Sequence, residues 1–402
     1  MNPNLEQLHS YPFEKLAQLK ADTTVNPDYD PVFLSIGEPK HQAPQFVLDE
    51  LSANLQSVAS YPLTKGSNAL RESIAKWLDQ RFSLRGNISS ENQVLPVNGT
   101  REALFAFAQA VIDPTVKPAK PLVIAPNPFY QIYEGAAILA GAEIHFLNTT
   151  ADNHFEPDLG SITSEQWQRC QLMYICSPGN PTGKVLPREY LKRLLELADQ
   201  HDFIIASDEC YSEVYCNEDN PPPGLLEVAI STGRTDFSRC VVFHSLSKRS
   251  NLPGLRSGFV AGDAEILKQF LRYRTYHGCA MSPPVQAASV VAWADEIHVK
   301  NNRALYRSKF DAVLKVLKPV IDVNAPDAGF YLWLKTPIDD QVFAKKLYEQ
   351  KNITVLPGSY LSRFNDGINP GENYVRLALV AEISQCITAA KHIKDFIENL
   401  SH

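Results

Sequence analysis

The chain has 402 residues, 44% of them apolar, and a formal net charge of −7. That length exceeds one ordinary hydrophobic core, so two domains are expected. The acidic balance, a pI of about 5.8 and the lack of any long basic run argue against nucleic acid and anionic membranes as partners.

No stretch approaches the ~18 uninterrupted apolar residues of a membrane span. The opening residues Met1–His9 mix polar and charged side chains and contain no apolar signal core. The seven cysteines form no Cys-x-x-Cys pair, and most sit in apolar runs (Cys176, Cys210, Cys240). They read as reduced core thiols, so a cytoplasmic protein with no metal centre is expected.

Along the chain, the segment up to Glu38-Pro39 is expected to pack against a later domain. Val94-Leu-Pro-Val-Asn-Gly-Thr-Arg-Glu-Ala-Leu-Phe105 predicts a strand, a Gly-Thr turn and an amphipathic helix. Short, nearly continuous apolar runs follow at Leu122–Ala125, Leu172–Cys176, Phe203–Ala206, Cys240–Phe243 and Gly258–Gly262. Each is too brief for a helix and lacks alternation, the pattern of strands buried on both faces. Arg188–Asp199 has a helical period, with Leu191, Leu194, Leu195 and Ala198 on one face. Alternating strands and helices predict an α/β domain with a mostly parallel sheet over residues 48–287. Pro221-Pro-Pro-Gly224 marks a surface loop. After Met281-Ser-Pro-Pro284 the texture changes to a long helical region (285–318). Strands at Gly329–Leu334, Ile353–Leu356 and Tyr374–Leu379 come next, then helix Ile383–Leu400, together a smaller α+β domain.

The chemistry-bearing residues cluster after these strands. Val241-Val-Phe-His-Ser-Leu-Ser-Lys-Arg-Ser-Asn-Leu-Pro-Gly-Leu-Arg-Ser-Gly258 places Lys248 among hydroxyls, eight residues before Arg256. A lysine with a nearby cation to lower its pKa suits Schiff-base chemistry, while Ser245, Ser247 and Arg256 suit a phosphate. One segment thus anchors an aldehyde and cradles an anion, the two groups of pyridoxal phosphate. The amides of Gly99, Thr100 and Arg101 offer a second anion site at a helix start, or Thr100 is an ordinary cap. Asn180, in Ser177-Pro-Gly-Asn-Pro-Thr-Gly183, lies just beyond a strand's carboxyl end, where α/β sheets collect ligands. Asp208, in Phe203-Ile-Ile-Ala-Ser-Asp-Glu-Cys-Tyr211, reads either as the partner of a pyridinium nitrogen or as a helix cap. Tyr211 is a donor to the same ring's oxygen. Tyr130 reads as a stacking ring or as core. Arg376, inside the apolar run Tyr374–Leu379, is either a carboxylate clamp or an exposed edge-strand arginine.

Taken in chain order, Asn-Gly-Thr, an aromatic, Asn-Pro-Thr-Gly, Asp-x-x-Tyr, Ser-x-Ser-Lys with arginine eight on, and a late arginine resemble the pyridoxal-phosphate-dependent aminotransferases of fold type I, class I/II. The resemblance spans nearly the whole chain. It implies a three-layer large domain around a mostly parallel seven-stranded sheet, and a small domain built from both termini, residues 1–47 and 288–402. It also implies a homodimer. Lys248 would carry the cofactor and move the proton. Asp208 would pair with the ring nitrogen, Tyr211 and Asn180 with the ring oxygen, and Tyr130 would stack on the ring. Gly99, Thr100, Arg101, Ser245, Ser247 and Arg256 would surround the phosphate, joined by Tyr61 from the partner subunit. Arg376 would hold the substrate α-carboxylate, with Gly37 and Asn180 lining the same pocket.

Aspartate aminotransferases carry a further arginine shortly before Ser-Asn-Pro-Pro. Here Arg274-Thr-Tyr-His-Gly-Cys-Ala-Met-Ser-Pro-Pro284 puts His277 or Gly278 at that place, against a dedicated aspartate enzyme. Asn4–Lys15, Leu34–His41 and Ser245–Asp263 look like bacterial succinyldiaminopimelate aminotransferases. That likeness implies exchange of the amino group of N-succinyl-2,6-diaminopimelate with 2-oxoglutarate in lysine biosynthesis. Arg101, Lys65, His277 and Arg274 are the candidates for the distal succinyl carboxylate. The alternatives are another class I/II aminotransferase (N-acetylornithine, aspartate or aromatic substrates) and a carbon–sulfur lyase. An effector module of a transcription regulator is disfavoured, because such a module ordinarily follows a basic winged-helix segment.

Overall fold

Strands buried on both faces must send alternate side chains into two different cores, and the sequence supplies them. A computed structural model of the protein describes residues 1–400. Its strands are β1 (Val32–Phe33), β2 (Val94–Val97), β3 (Leu122–Asn127), β4 (Glu143–Asn148), β5 (Cys170–Cys176) and β6 (Ile204–Asp208). They continue with β7 (Cys240–Ser245), β8 (Gly258–Gly262), β9 (Tyr331–Lys335), β10 (Ile353–Thr354), β11 (Leu356–Pro357) and β12 (Tyr374–Ala378). Strands β2 to β8 form one seven-stranded sheet in the order β2-β8-β7-β6-β5-β3-β4. Neighbours from β4 to β7 pair in parallel, and β8 alone runs antiparallel to both its partners.

Successive residues of β5 show the two-sided burial directly. Leu172 and Tyr174 join an apolar cluster with Phe107, Tyr133, Phe243 and Phe270. Met173 and Ile175 join the opposite cluster with Trp77, Leu191, Leu194 and Trp293. This alternation is the period-two geometry of a strand with helices on both faces. Strand β4 departs from the apolar-run pattern because it is the sheet edge, where Glu143 is exposed and His145 half-buried. The protein is therefore α/β, with a mostly parallel central sheet.

A third apolar cluster gathers Val32, Leu34, Phe310, Leu332, Phe343, Val375 and Phe396. Its sheet has the order β11-β12-β9, all antiparallel, so β12 is the central strand. The segment expected as one strand, Ile353–Leu356, divides at Val355: β10 pairs with β1 while β11 pairs with β12. The long helical region also divides, into Pro283–Ala294 and Ile297–Leu317. Asp295 leaves the helical conformation, and its carboxylate accepts from the His298 amide at 2.9 Å, starting the second helix.

Topology explains where a site can form. The carboxyl ends of β2, β3, β5, β6 and β7 face one edge of the sheet, where antiparallel β8 begins. Asn98-Gly99, Pro128–Tyr130, Ser177–Asn180, Glu209–Tyr211, Leu246–Lys248 and Arg256 all emerge there. Helix Arg188–His201 covers one face of the sheet and buries Leu194 completely. Leu194→Ala should destabilise the protein by about 2–5 kcal/mol, read as a lower thermal midpoint. Lys192→Ala on the exposed side of that helix should change it by under about 0.5 kcal/mol.

Candidate active site

Lys248 sits in the short helix Leu246–Arg249 immediately after β7. The Ser245 hydroxyl accepts from the Ser247 amide at 3.1 Å and caps that helix. The Lys248 Nζ donates to the Gly37 carbonyl at 2.5 Å and lies 5.4 Å above the Phe330 ring. Burial pushes its pKa down to about 8, and Arg376, Arg101 and Arg256 add to the effect against an opposing contribution from Cys210. The amine lines a cavity of about 690 Å³ shared with Thr100, Tyr130, Asn180, Asp208, Tyr211 and Arg376.

Asp208 ends β6 and is 4% exposed. Its carboxylate accepts from the Tyr133 hydroxyl at 2.7 Å and from the Cys210 amide at 3.2 Å. Burial raises its pKa, while these two bonds pull it back. The residues after it form a turn rather than a helix, which removes the helix-cap reading. No basic side chain donates a hydrogen bond to this carboxylate among the described residues, so it is free to hold a cationic N–H of a ligand. Tyr133, three residues after Tyr130, has no local sequence signal that sets it apart from core aromatics.

Arg376 is 4% exposed in the central strand of the small sheet, so it is not an edge-strand arginine. It donates to Asn180 Oδ1 at 2.9 Å and to the Ser35 carbonyl at 2.7 Å, and stacks 4.4 Å from the Tyr331 ring. Its Nε is buried without a partner. The Tyr331 hydroxyl lies 2.9 Å from that of Tyr211. A Cβ at position 37 would stand 1.9 Å from the Tyr331 oxygen, so only glycine brings that carbonyl to Lys248. The sequence signal for Tyr331 was weak: it is one aromatic among several in Gly329–Leu334.

The anion site is similarly tight. Gly99 has φ 88°, and a Cβ there would meet the Arg256 guanidinium at 2.3 Å. Thr100 is the first residue of helix Thr100–Val111 rather than its cap, and its hydroxyl lies 3.0 Å from the Cys210 sulfur. Arg256 Nη1 donates to the Pro253 carbonyl at 3.0 Å. Arg101 Nε donates to the Tyr130 hydroxyl at 2.6 Å, and Tyr11 from the N-terminal segment lines the same cavity. Ser247 also lines it, whereas Tyr61 is fully exposed and outside it in the single chain.

Of the four candidates for a distal carboxylate, three are committed elsewhere. Arg274 is fully buried and paired with Glu102 at 2.5 Å. Lys65 pairs with Glu91, and His277 Nδ1 contacts the Cys279 sulfur at 3.1 Å. Arg101 alone lines the cavity.

The profile of the family "Aminotransferase class I and II" matches residues 29–391. A crystal structure of an aminotransferase from Neisseria meningitidis superposes with a TM-score of 0.94 at 50% identity, covering 99% of this chain and 100% of that one. The probable N-succinyldiaminopimelate aminotransferase of Thermus thermophilus superposes with a TM-score of 0.84 at 25% identity, covering 96% and 99%. The LL-diaminopimelate aminotransferase of Maridesulfovibrio salexigens is 29% identical over 97% of each chain. A buried amine of lowered pKa, a desolvated carboxylate and converging arginines are what such chemistry needs, and the chain belongs to the class I and II aminotransferases, a pyridoxal-phosphate-dependent family.

Proposed function

We propose that this aminotransferase uses pyridoxal phosphate held at Lys248 to exchange the amino group of N-succinyl-LL-2,6-diaminopimelate with 2-oxoglutarate. The observation that carries the reading is a single cavity lined by one buried amine and three arginines, Arg101, Arg256 and Arg376. Arg256 suits a phosphate, Arg376 an α-carboxylate, and Arg101 one of the two further carboxylates of the succinylated donor. The residues fit the cofactor. Gly99, where a Cβ would displace the Arg256 guanidinium, and the amides opening helix Thr100–Val111 would receive the phosphate beside Arg256, Ser245 and Ser247. Asp208 would hold the ring nitrogen, Tyr211 and Asn180 the ring oxygen, and Tyr130 would stack on the ring.

When bound, pyridoxal phosphate supplies an aldehyde that takes up an amine and a ring that withdraws electrons from the attached carbon. The protein's residues do the rest. Arg376 holds the α-carboxylate through its fork, and so orients the Cα–H bond toward Lys248. The lowered pKa of Lys248 makes its Nζ a base near neutrality, able to take the Cα proton and return it one carbon away. Asp208, buried and without a basic partner, favours a protonated ring nitrogen opposite it. The terminal amino groups of Arg101 make no hydrogen bond among the described residues, which leaves them for the succinyl carboxylate. The division at residues 48–287 would set Lys248 and Arg376 on different domains. Tyr61, exposed beside Leu63 and Val58, would be covered by a second copy of the chain and reach its phosphate site.

The relatives named for LL-diaminopimelate favour a second reading, in which the free diamino acid is the donor. A donor panel separates the two. The succinylated donor should exceed free LL-diaminopimelate in kcat/KM by about tenfold or more, as a bound carboxylate is worth. The reverse order would establish the second reading, and a preference for aspartate would defeat both. Arg376→Ala should lower kcat/KM about 100-fold with a fall in kcat, checked by steady-state kinetics. The neutral fraction of Lys248 grows as pH rises through about 8. The rate of its borohydride-trapped adduct with the vitamer should therefore climb about tenfold per pH unit below that midpoint and level off above it.

A further inference from the structure

Behind Lys248 lies a chain of polar groups, two of them buried and the middle one, His41, half-buried, to which the mechanism assigns no part. Lys309, 3% exposed on helix Ile297–Leu317, bonds the Val380 carbonyl at 3.2 Å and His41 Nε2 at 2.7 Å. His41 Nδ1 lies 2.7 Å from Asn302 Oδ1. Asn302, 6% exposed, donates through Nδ2 to the carbonyls of Lys248 at 3.2 Å and Arg249 at 3.3 Å. Those carbonyls end the short helix Leu246–Arg249 and have no partner within it.

Chemistry at the two ends dictates the polarity of the whole chain. An ammonium only donates, so His41 Nε2 must accept and the imidazole proton sits on Nδ1. That proton goes to the amide oxygen of Asn302, which turns its NH₂ toward carbonyls that only accept. No group in the series can be reversed without facing donor to donor or acceptor to acceptor. The segment bearing His41 also carries Gly37, whose carbonyl meets the other end of Lys248 at the Nζ. Gln42 is held to the same turn by the Asn251 amide at 3.3 Å.

We infer that Lys309, His41 and Asn302 form a one-directional positioning relay, which fixes the backbone of Lys248 and ties it to the segment that touches its amine. The inference rests on Lys248 being the cofactor lysine. Asn302→Asp keeps the shape and loses both donors. His41→Leu removes the link, whereas His41→Gln presents an amide oxygen to Lys309 and an NH₂ to Asn302, preserving the polarity. The readouts are the rate of the borohydride-trapped pyridoxal phosphate adduct at Lys248, located by peptide mass, and the split between kcat and KM.

Asn302→Asp and His41→Leu should slow trapping and kcat about tenfold with KM within about twofold, as misplacement of a reacting group does. His41→Gln should recover at least about half of the wild-type rate. Wild-type rates in Asn302→Asp and His41→Leu would overturn the relay, as would equal losses in His41→Gln and His41→Leu. If Asn302→Asp fails to fold, the contrast between the two His41 variants decides. Absence of an adduct in the wild-type protein would instead remove the cofactor reading, and the relay with it.

Discussion

Everything at this site depends on one unfavourable act, the burial of a lysine amine among arginines. An ammonium at position 248 loses most of its hydration and faces like charges from Arg376, Arg101 and Arg256. Among the described residues, its hydrogen-bond acceptor is the Gly37 carbonyl. The protein stabilises this arrangement with the packing of two large apolar clusters on either face of the sheet. Such a group is poised to give up its proton, which is the state an amine needs before it attacks a carbonyl.

The arginines are held apart by geometry rather than by counter-charges. Arg376 is fixed by the neutral acceptors Asn180 and Ser35 and by the Tyr331 face, Arg101 by Tyr130, and Arg256 by a backbone carbonyl over Gly99. None of the three is salt-bridged to a protein carboxylate among the described residues. Arg81, Arg249, Arg274, Arg303 and Arg363 all are. That contrast, between arginines paired with carboxylates and cavity-lining arginines held by neutral acceptors, can be drawn only once partners are known.

Much of this was legible in the sequence because buried strands and the turns after them write distinct signatures. The runs at 122–125, 172–176, 240–243 and 258–262 are strands, and the polar residues just past their ends converge at one sheet edge. Strand β4 was not legible, since an edge strand needs no continuous apolar run. A sequence shows charge but not partners: Lys65 and Arg274 pair with Glu91 and Glu102, and none of Lys65, Arg274 and His277 lines the Lys248 cavity. Tyr133 and Tyr331 act through hydroxyls brought in by tertiary contact, and nothing in their local sequence distinguishes them from core aromatics.

The segment from β1 to Gln42 is stitched into both halves of the molecule. Its first residues extend the small core through β10, and its later ones touch the turn that bears Lys248. The enzyme is therefore not modular in the way its layered sheet first implies. Trimming the amino-terminal forty residues, or grafting the central sheet into another scaffold, would take away an acceptor of the reactive amine along with a strand. Position 37 allows no graded change either, because a single added methyl group collides with a phenol oxygen. The strip beneath the rim formed by Tyr11 and Arg101 leaves evolutionary drift almost no room.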